Sequence, residues 1–217
     1  MSWDTVLFDL DGTLTDSGPG VMKAAQAALR DGGVEVADWH TLGWFVGPPL
    51  IESFEQYFPP ERAQEAVDRF RDYYNAKGWL ENSVYDGIPA CLEALRAGGK
   101  RLYVATSKLE PQALRVLEHF GLLGLLNGVC GALPGSREAG TKLAVVRRAL
   151  ELAGCTDFQR AVLVGDRKYD VAGGHTAGLA VLGVLYGYGD RAELTEAGAD
   201  GIAAAPEDIV TLILSHH

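Results

Sequence analysis

The sequence predicts an α/β protein built around a parallel β-sheet. Short runs of apolar, often β-branched residues recur along the chain, and amphipathic helical patterns separate most of them. Because these runs are apolar on both faces, they suit strands that helices cover on each side. The composition agrees, since 217 residues with 47% hydrophobic and 22% charged residues are enough to bury a substantial core.

Four apolar runs predict the main strands, and a shorter run predicts a fifth. The main strands are expected at residues 6–8, 102–105, 161–164 and 180–185, and the shorter one at 128–131. Strands that alternate with helices in this way favour a Rossmann-like parallel sheet.

Three amphipathic helices are predicted between these strands. Their apolar residues recur three, four and seven positions apart, which places them on one helix face. A glycine follows each pattern and marks the end of the helix. The patterns are Ile88, Cys91, Leu92 and Leu95; Leu114, Leu117 and Phe120; and Leu143, Val146, Ala149, Leu150 and Leu152.

One interval breaks the alternation of strand and helix. Between residues 17 and 85 the sequence shows helical patterns at 21–30, 50–57 and 60–77 and no convincing strand. The third pattern begins after two prolines and ends at Lys77 and Gly78, as helices commonly do. We therefore expect a Rossmann-like core at residues 1–16 and 86–217, with a small all-helical cap at 17–85.

Charge and cysteine content exclude several classes of function. The formal net charge of −10 disfavours binding to nucleic acids or to anionic lipid surfaces. Three widely spaced cysteines without a paired motif favour a reducing compartment over a disulfide scaffold or a zinc site. The first residues do not resemble a signal peptide, and no apolar run is long enough to span a membrane. We expect a cytoplasmic protein with a small-molecule partner, as a monomer or homodimer.

Polar residues follow three of the predicted strands, and ligands of open parallel sheets bind at the carboxyl ends of the strands. Lys142 opens the helix that begins near Thr141 and points to the same edge. The residues after the strands are Asp9, Asp11, Thr106, Ser107, Asp166 and Asp170.

The acidic residues among them predict a metal site. Asp9 and Asp11 are two positions apart in extended chain and share a face, so their carboxylates need a proton or a cation between them. Asp166 at a strand end suits Mg²⁺, which prefers carboxylate oxygens together with water and phosphate. Asp170 lies four residues further on, where it would hold a water near the metal or orient Lys142.

Thr106 and Lys142 are ambiguous on their own. A threonine at a strand end is commonly explained by β-propensity or by capping of the next helix. A lone lysine at a helix start usually faces solvent, although cations are disfavoured at that end of a helix. The aspartates predicted at the same edge of the sheet favour a functional role for these two residues.

Taken in order, these motifs resemble the haloacid dehalogenase superfamily of phosphatases, and most closely its phosphoglycolate phosphatase-like branch. The resemblance to the superfamily rests on the string from Asp9 to Leu14, on Thr106 and Lys142, and on Gly165-Asp166 with Asp170. The likeness to this branch rests on the strings Gly47-Pro48-Pro49-Leu50, Ala105-Thr106-Ser107-Lys108 and Gly165-Asp166-Arg167-Lys168-Tyr169-Asp170. The resemblance covers essentially the whole chain, including a helical cap inserted after the first motif.

The resemblance implies a role for each residue. Asp9 would be the nucleophile, and Asp11 would protonate the leaving alcohol and later activate water. Mg²⁺ would be held by the carboxylates of Asp9 and Asp166 and by the main-chain carbonyl of Asp11. The transferring phosphate would be bound by Thr106, Ser107 and Lys142, with Asp170 in a supporting position.

The implied activity is Mg²⁺-dependent hydrolysis of small phosphate monoesters, either phosphoglycolate-type or nucleoside 5′-monophosphates, through an aspartyl-phosphate. Asp11 argues against a dehalogenase, whose leaving group needs no proton. Lys23 and Lys77 have no context that suits the Schiff-base lysine of a phosphonoacetaldehyde hydrolase. A sugar-phosphate mutase like β-phosphoglucomutase and a catalytically silent binding protein of the same fold remain open. Trp44 and Phe45 would either contact the substrate or fill the core of the cap.

Overall fold

A computed structural model describes residues 2–133 and 138–216. Met1, residues 134–137 and His217, which belong to the predicted core, lie outside the described residues. The chain divides into two compact units, Met1–Leu14 with Val84–His217 and Thr15–Ser83, which we call the sheet unit and the helical unit. The predicted boundaries between core and cap, at 16/17 and 85/86, each lie two residues later than the boundaries of these units. The role of the helical unit as a cap stays a prediction.

The sheet unit contains six strands that all pair in parallel, so the predicted parallel sheet is confirmed. The strands are β1 (Thr5–Phe8), β4 (Arg101–Leu109), β5 (Gly128–Ala132), β6 (Ala161–Gly165), β7 (Ala180–Val184) and β8 (Gly201–Ala203). Their order across the sheet is β5-β4-β1-β6-β7-β8, which puts β1 in the middle. Among the described residues, two short strands, β2 (Thr15–Asp16) and β3 (Ser83–Val84), pair with each other. The prediction that residues 17–85 contain no strand is therefore wrong at β3, which is only two residues long.

The second main strand is longer than predicted. The predicted strand ends at Ala105, because the next three residues, Thr106, Ser107 and Lys108, are polar. In the structure, β4 continues to Leu109. The register of β4 against β5 shifts between Ala105 and Leu109, so the polar residues extend the strand beyond its regular pairing.

Within the described residues, six helices accompany the sheet. They are α4 (Ile88–Ala97), α5 (Glu110–His119), α6 (Lys142–Leu152), α7 (Lys168–Ala177), α8 (Arg191–Glu196) and α9 (Pro206–Leu214). The predicted buried face of α4 is confirmed. The predicted apolar faces of α5 and α6 are each wrong at one residue, since Leu114 is 38% exposed and Leu152 is 55% exposed. The buried face of α5 is formed instead by Ala113, Val116 and Leu117, and α6 turns Val145 inward with Val146.

The helical unit contains α1 (Gly18–Asp31), α2 (Leu50–Phe54) and α3 (Pro60–Ala76), with 3₁₀ turns at Trp39–Phe45 and Gly78–Leu80. Aromatic side chains form much of its interior: Phe45 packs edge-on against Phe54 at 5.0 Å, and Phe70 stacks on Tyr74. Phe45 is therefore a core residue of this unit. In the part of the chain that the structure describes, no helix has the length and apolar character needed to cross a bilayer.

Candidate active site

The carboxyl ends of β1 and β6 lie side by side at the centre of the sheet, next to the middle of β4. Phe8, the last residue of β1, pairs with Val104 on one side and Val164 on the other. The main-chain N–H of Asp9 donates to the carbonyl of Val164 at 2.9 Å. This register places the residues that follow β1 and β6 next to each other, as expected at the carboxyl edge of a parallel sheet.

Lys142 is a buried cation at this edge. Its Nζ lies 2.8 Å from Oδ1 of Asp9 and 2.8 Å from Oδ1 of Asp170, and it donates to the carbonyl of Ala105 at 3.1 Å. The lysine side chain is only 8% exposed, so these oxygens replace water as its partners. Gly173 in α7 makes room for the lysine stem, because a Cβ there would lie 2.6 Å from Lys142 Cγ.

Asp170 connects Lys142 to the start of α7. Its Oδ1 pairs with the lysine, and its Oδ2 accepts a hydrogen bond of 3.0 Å from the main-chain N–H of Arg167. Both carboxylate oxygens are thus engaged. Of the two roles that the sequence left open for Asp170, this geometry matches the orientation of Lys142.

Only one of the two carboxylate oxygens of Asp166 has a hydrogen-bond partner among the described residues. Its Oδ2 accepts a 2.8 Å hydrogen bond from the main-chain N–H of Tyr188, whereas its Oδ1 is buried and has no hydrogen-bond partner among the described residues. A Cβ at Gly12 or Gly187 would overlap the side chain of Asp166, and a Cβ at Gly189 would overlap its main-chain carbonyl oxygen. We call Gly12, Gly187 and Gly189 the glycine cradle. The main chain thus encloses the carboxylate and leaves one oxygen available.

One carboxylate oxygen from each of Asp9, Asp166 and Asp170 lies within 4.8 Å of the others, and all three residues are buried. Such oxygen donors are the ligands that hard divalent cations prefer. The buried and unpartnered Oδ1 of Asp166 fits a metal ligand, because an ionised oxygen without a partner is costly to bury. The residues present therefore fit a divalent metal ion.

The electrostatics of the cluster point the same way. Burial raises the pKa of Asp9 to about 6, reinforced by the charges of Asp170 and Asp11 and opposed by Lys142. Burial and the charges of Asp170 and Asp9 also raise the pKa of Asp166 well above its ordinary value. Burial disfavours the charge on Lys142, but Asp170 and Asp9 outweigh it and raise the lysine pKa. The site accordingly holds more negative charge than its own cations neutralise.

Asp11 has a partner that sequence analysis missed. Nζ of Lys108 lies 2.9 Å from Oδ1 and 2.9 Å from Oδ2 of Asp11. Lys108 and Thr106 are two positions apart in the extended β4, so they share a face in the same way as Asp9 and Asp11. This alternation is the signal that would have found Lys108, had the strand not been expected to end at Ala105.

Thr106 is buried, and its Oγ1 accepts a 3.2 Å hydrogen bond from the main-chain N–H of Lys108. Ser107 differs, since the described residues include no hydrogen bond between its hydroxyl and the carboxylates of the site. The structure thus brings carboxylate oxygens of Asp9, Asp166 and Asp170 within 4.8 Å of one another, places Lys142 against Asp9 and Asp170, and pairs Asp11 with Lys108. The phosphate-binding role of Thr106 and Ser107 stays a prediction.

Comparisons with known proteins agree with this geometry. The chain matches the family model of haloacid dehalogenase-like hydrolases over residues 6–184. It is 39% identical to a 5′-nucleotidase of Pseudomonas aeruginosa over 89% of this chain and 88% of that protein. It is 34% identical to a phosphoglycolate phosphatase of Cupriavidus necator, with 96% of this chain and 92% of that protein covered.

A further relative carries a different name. The chain is 42% identical to the tyrosine-protein kinase PtkA of Mycobacterium tuberculosis over 85% of its own length, and the match spans 62% of PtkA. Among solved structures, a predicted phosphatase from Clostridium acetobutylicum superimposes with a TM-score of 0.95 and 41% identity over the full length of both chains. The resemblance that the sequence motifs indicated is confirmed: the chain belongs to the haloacid dehalogenase-like hydrolases, and it is a phosphatase of that family.

Proposed function

We propose that this phosphatase hydrolyses small phosphate monoesters through an aspartyl-phosphate on Asp9 and depends on Mg²⁺. The observation that carries the proposal is the position of Asp9, which lies against the buried cation of Lys142 and within 4.8 Å of the Asp166 and Asp170 oxygens. A carboxylate in this position is a nucleophile with a cation beside the phosphate it would attack.

In the first step an oxygen of Asp9 forms a bond to phosphorus while the bond from phosphorus to the ester oxygen breaks. Asp11 gives its proton to the departing alkoxide. In the second step Asp11 takes a proton from water, the water oxygen attacks phosphorus, and the Asp9 carboxylate leaves. Inorganic phosphate and the alcohol are the products, and the side chains return to their initial state.

Thr106 and Lys142 would stabilise the oxygens of the transferring phosphoryl group, which carry the negative charge in the transition state. The metal would be held by Asp9, Asp166 and the carbonyl of Asp11, and it would neutralise the repulsion between carboxylate and phosphate. Asp170 would keep Lys142 in place. Of the six charged groups concerned, four are carboxylates and two are lysines, which supports a divalent cation as the missing counter-charge.

The proposed substrates are nucleoside 5′-monophosphates and phosphoglycolate-type esters. The names of the relatives support both, since one is a 5′-nucleotidase and another is a phosphoglycolate phosphatase. Both kinds of ester have an alcohol leaving group, which needs the proton that Asp11 would supply.

The test is phosphate release from a panel of esters, with Mg²⁺ and with chelator, by the protein and by Asp9→Asn. The matched control is Asp72→Asn, which removes an exposed carboxylate in the helical unit. We expect release that chelator abolishes, a loss of about 10³-fold or more in Asp9→Asn, and no change in the control. Asp9→Asn with more than a few per cent of the activity would rule out the nucleophile.

Two further arms separate this proposal from other activities. The first offers β-glucose 1-phosphate, whose conversion to its isomer without phosphate release would identify a mutase. The second offers ATP with a tyrosine peptide, because PtkA is named as a kinase. If no substrate reacts in any arm, the remaining interpretation is a catalytically silent binding protein of this fold.

A further inference from the structure

We propose that Lys108 is a positioning residue for Asp11 and thereby determines how well the protein cleaves esters with poor leaving groups. The proposal rests on the proposed function, because it concerns the proton that Asp11 gives to the departing oxygen. The predicted site does not include this lysine, and the resemblance to the family implied no role for it.

The contact between the two side chains is symmetrical and shielded from solvent. Nζ of Lys108 lies 2.9 Å from both carboxylate oxygens of Asp11. The lysine side chain is 6% exposed and the aspartate side chain 18%. A cation that bonds both oxygens fixes the plane of the ionised carboxylate as well as its place, and the contact is strengthened where water is excluded. In the acid form one oxygen carries the proton that Asp11 transfers, and Lys108 keeps the carboxyl group in position through the other oxygen.

The main chain that carries Lys108 is itself fixed. Its N–H donates to Thr106 Oγ1 at 3.2 Å, and a Cβ at Gly131 would lie 2.7 Å from its carbonyl oxygen, so β5 approaches closely here. The next-but-one residue, Glu110, accepts hydrogen bonds of 3.0 Å from the N–H of Gly131 and from Arg148. The lysine thus projects from a constrained segment toward a residue 97 positions away.

Positioning of Asp11 affects leaving groups unequally. An alkoxide must receive the proton of Asp11 as the phosphorus–oxygen bond breaks, whereas a nitrophenolate departs without one. Proton transfer depends strongly on geometry, and a displacement of about 1 Å can lower a rate by about 10²-fold. A defect in the placement of Asp11 should therefore appear with alkyl esters and be almost absent with aryl esters.

The experiment measures kcat/KM with Mg²⁺ for a nucleoside 5′-monophosphate and for 4-nitrophenyl phosphate. This parameter includes the steps up to the departure of the leaving group, and not the later hydrolysis of the aspartyl-phosphate. We expect Lys108→Met to lower the value for the alkyl ester by about 10²-fold and the value for the aryl ester by less than about threefold. Lys108→Arg should restore most of the activity toward the alkyl ester, and Lys100→Met, before the opposite end of β4, should change neither value.

A double variant separates positioning from a general structural effect. If Lys108 acts through Asp11, then Asp11→Asn and the double variant Asp11→Asn with Lys108→Met should have the same kcat/KM for the alkyl ester. Thermal unfolding checks that each variant folds, and Lys108→Gln serves if the methionine variant does not.

Equal losses with both esters, or no loss with either, would overturn the proposal. So would further loss in the double variant, since it would mean that Lys108 contacts the substrate directly or supports the fold. These results differ from failure of the proposed function, in which the unaltered protein itself releases no phosphate from the alkyl ester.

Discussion

The single residues that most constrain the site are glycines. The main chain at Gly12 and Gly187 approaches the Asp166 side chain, and that at Gly189 approaches the Asp166 carbonyl, so closely that any side chain there would overlap. The hydrogen bond from Tyr188 then selects which of the two Asp166 carboxylate oxygens remains available. The metal-binding capacity of this carboxylate thus depends on residues that carry no chemistry themselves.

We predict that Gly187→Ala weakens binding of Mg²⁺ by about 10- to 100-fold while the protein remains folded. The added Cβ would overlap both Asp166 and the carbonyl of Gly12, so the loop or the carboxylate must move. Calorimetric titration with Mg²⁺ measures the effect. Gly124→Ala is the control, because nothing lies within 4 Å of a Cβ there. Unchanged affinity in Gly187→Ala would show that the cradle does not orient Asp166.

At this scale the sequence predicted the acidic residues better than the groups that hold them. Asp9, Asp11, Asp166 and Asp170 follow strands, and the carboxyl edge of a parallel sheet is where ligands bind. The N–H of Tyr188 and the cradle glycine Gly187 lie in a loop whose path depends on tertiary packing. A main-chain N–H donor requires no particular residue type, so the sequence alone could not predict this part of the site.

Among the elements, α1 is packed more closely than its sequence suggests. Gly20 lies in its first turn, and its N–H donates to the carbonyl of Glu81 at 2.9 Å. A Cβ at Gly20 would overlap the carbonyl oxygen of Gly78 and lie 2.8 Å from its carbon. The helix therefore approaches the main chain of the second 3₁₀ turn without a side chain between them.

We predict that Gly20→Ala lowers the free energy of unfolding by about 1–3 kcal/mol, as overpacking does. The sign is informative, because the same change in an open helix would stabilise it by about 0.5–1 kcal/mol. Denaturant unfolding followed by circular dichroism measures it. Gly43→Ala, where the nearest atom is Met22 Sδ at 3.9 Å, should stay within about 0.5 kcal/mol of the unaltered protein. A more stable Gly20→Ala protein would contradict the close packing.

No helix was predicted at α7, α8 or α9, and no strand at β2, β3 or β8. β8 contains three residues and α8 six, which is too short for a periodic signal. In α5 the leucines at 114 and 117 suggested one face, but the small Ala113 lies inward and Leu114 outward. The buried face of a helix is predicted mainly from the spacing of large apolar residues, whereas here a small residue occupies the buried position.

Over the whole molecule, the raised pKa values couple the site to stability. A carboxyl whose pKa is higher in the folded than in the unfolded protein binds more protons when folded, between its ordinary value near 3.9 and its folded value. For Asp9, with a folded pKa of about 6, stability in the absence of metal therefore falls as pH rises through this range. Asp166 contributes in the same direction. The formal net charge of −10 adds repulsion that also grows as carboxylates ionise.

A divalent cation should reverse this dependence, because it binds the ionised carboxylates that are otherwise unfavourable. We predict that Mg²⁺ at about a hundred times its Kd raises Tm by about 5–10 °C at pH 7.5. At pH 5, protons compete for Asp9 and the shift should be much smaller. Thermal unfolding at both pH values, with metal and with chelator, measures it, and Asp166→Asn should show little metal response at either. The same shift at both pH values would mean that the metal binds away from these carboxylates.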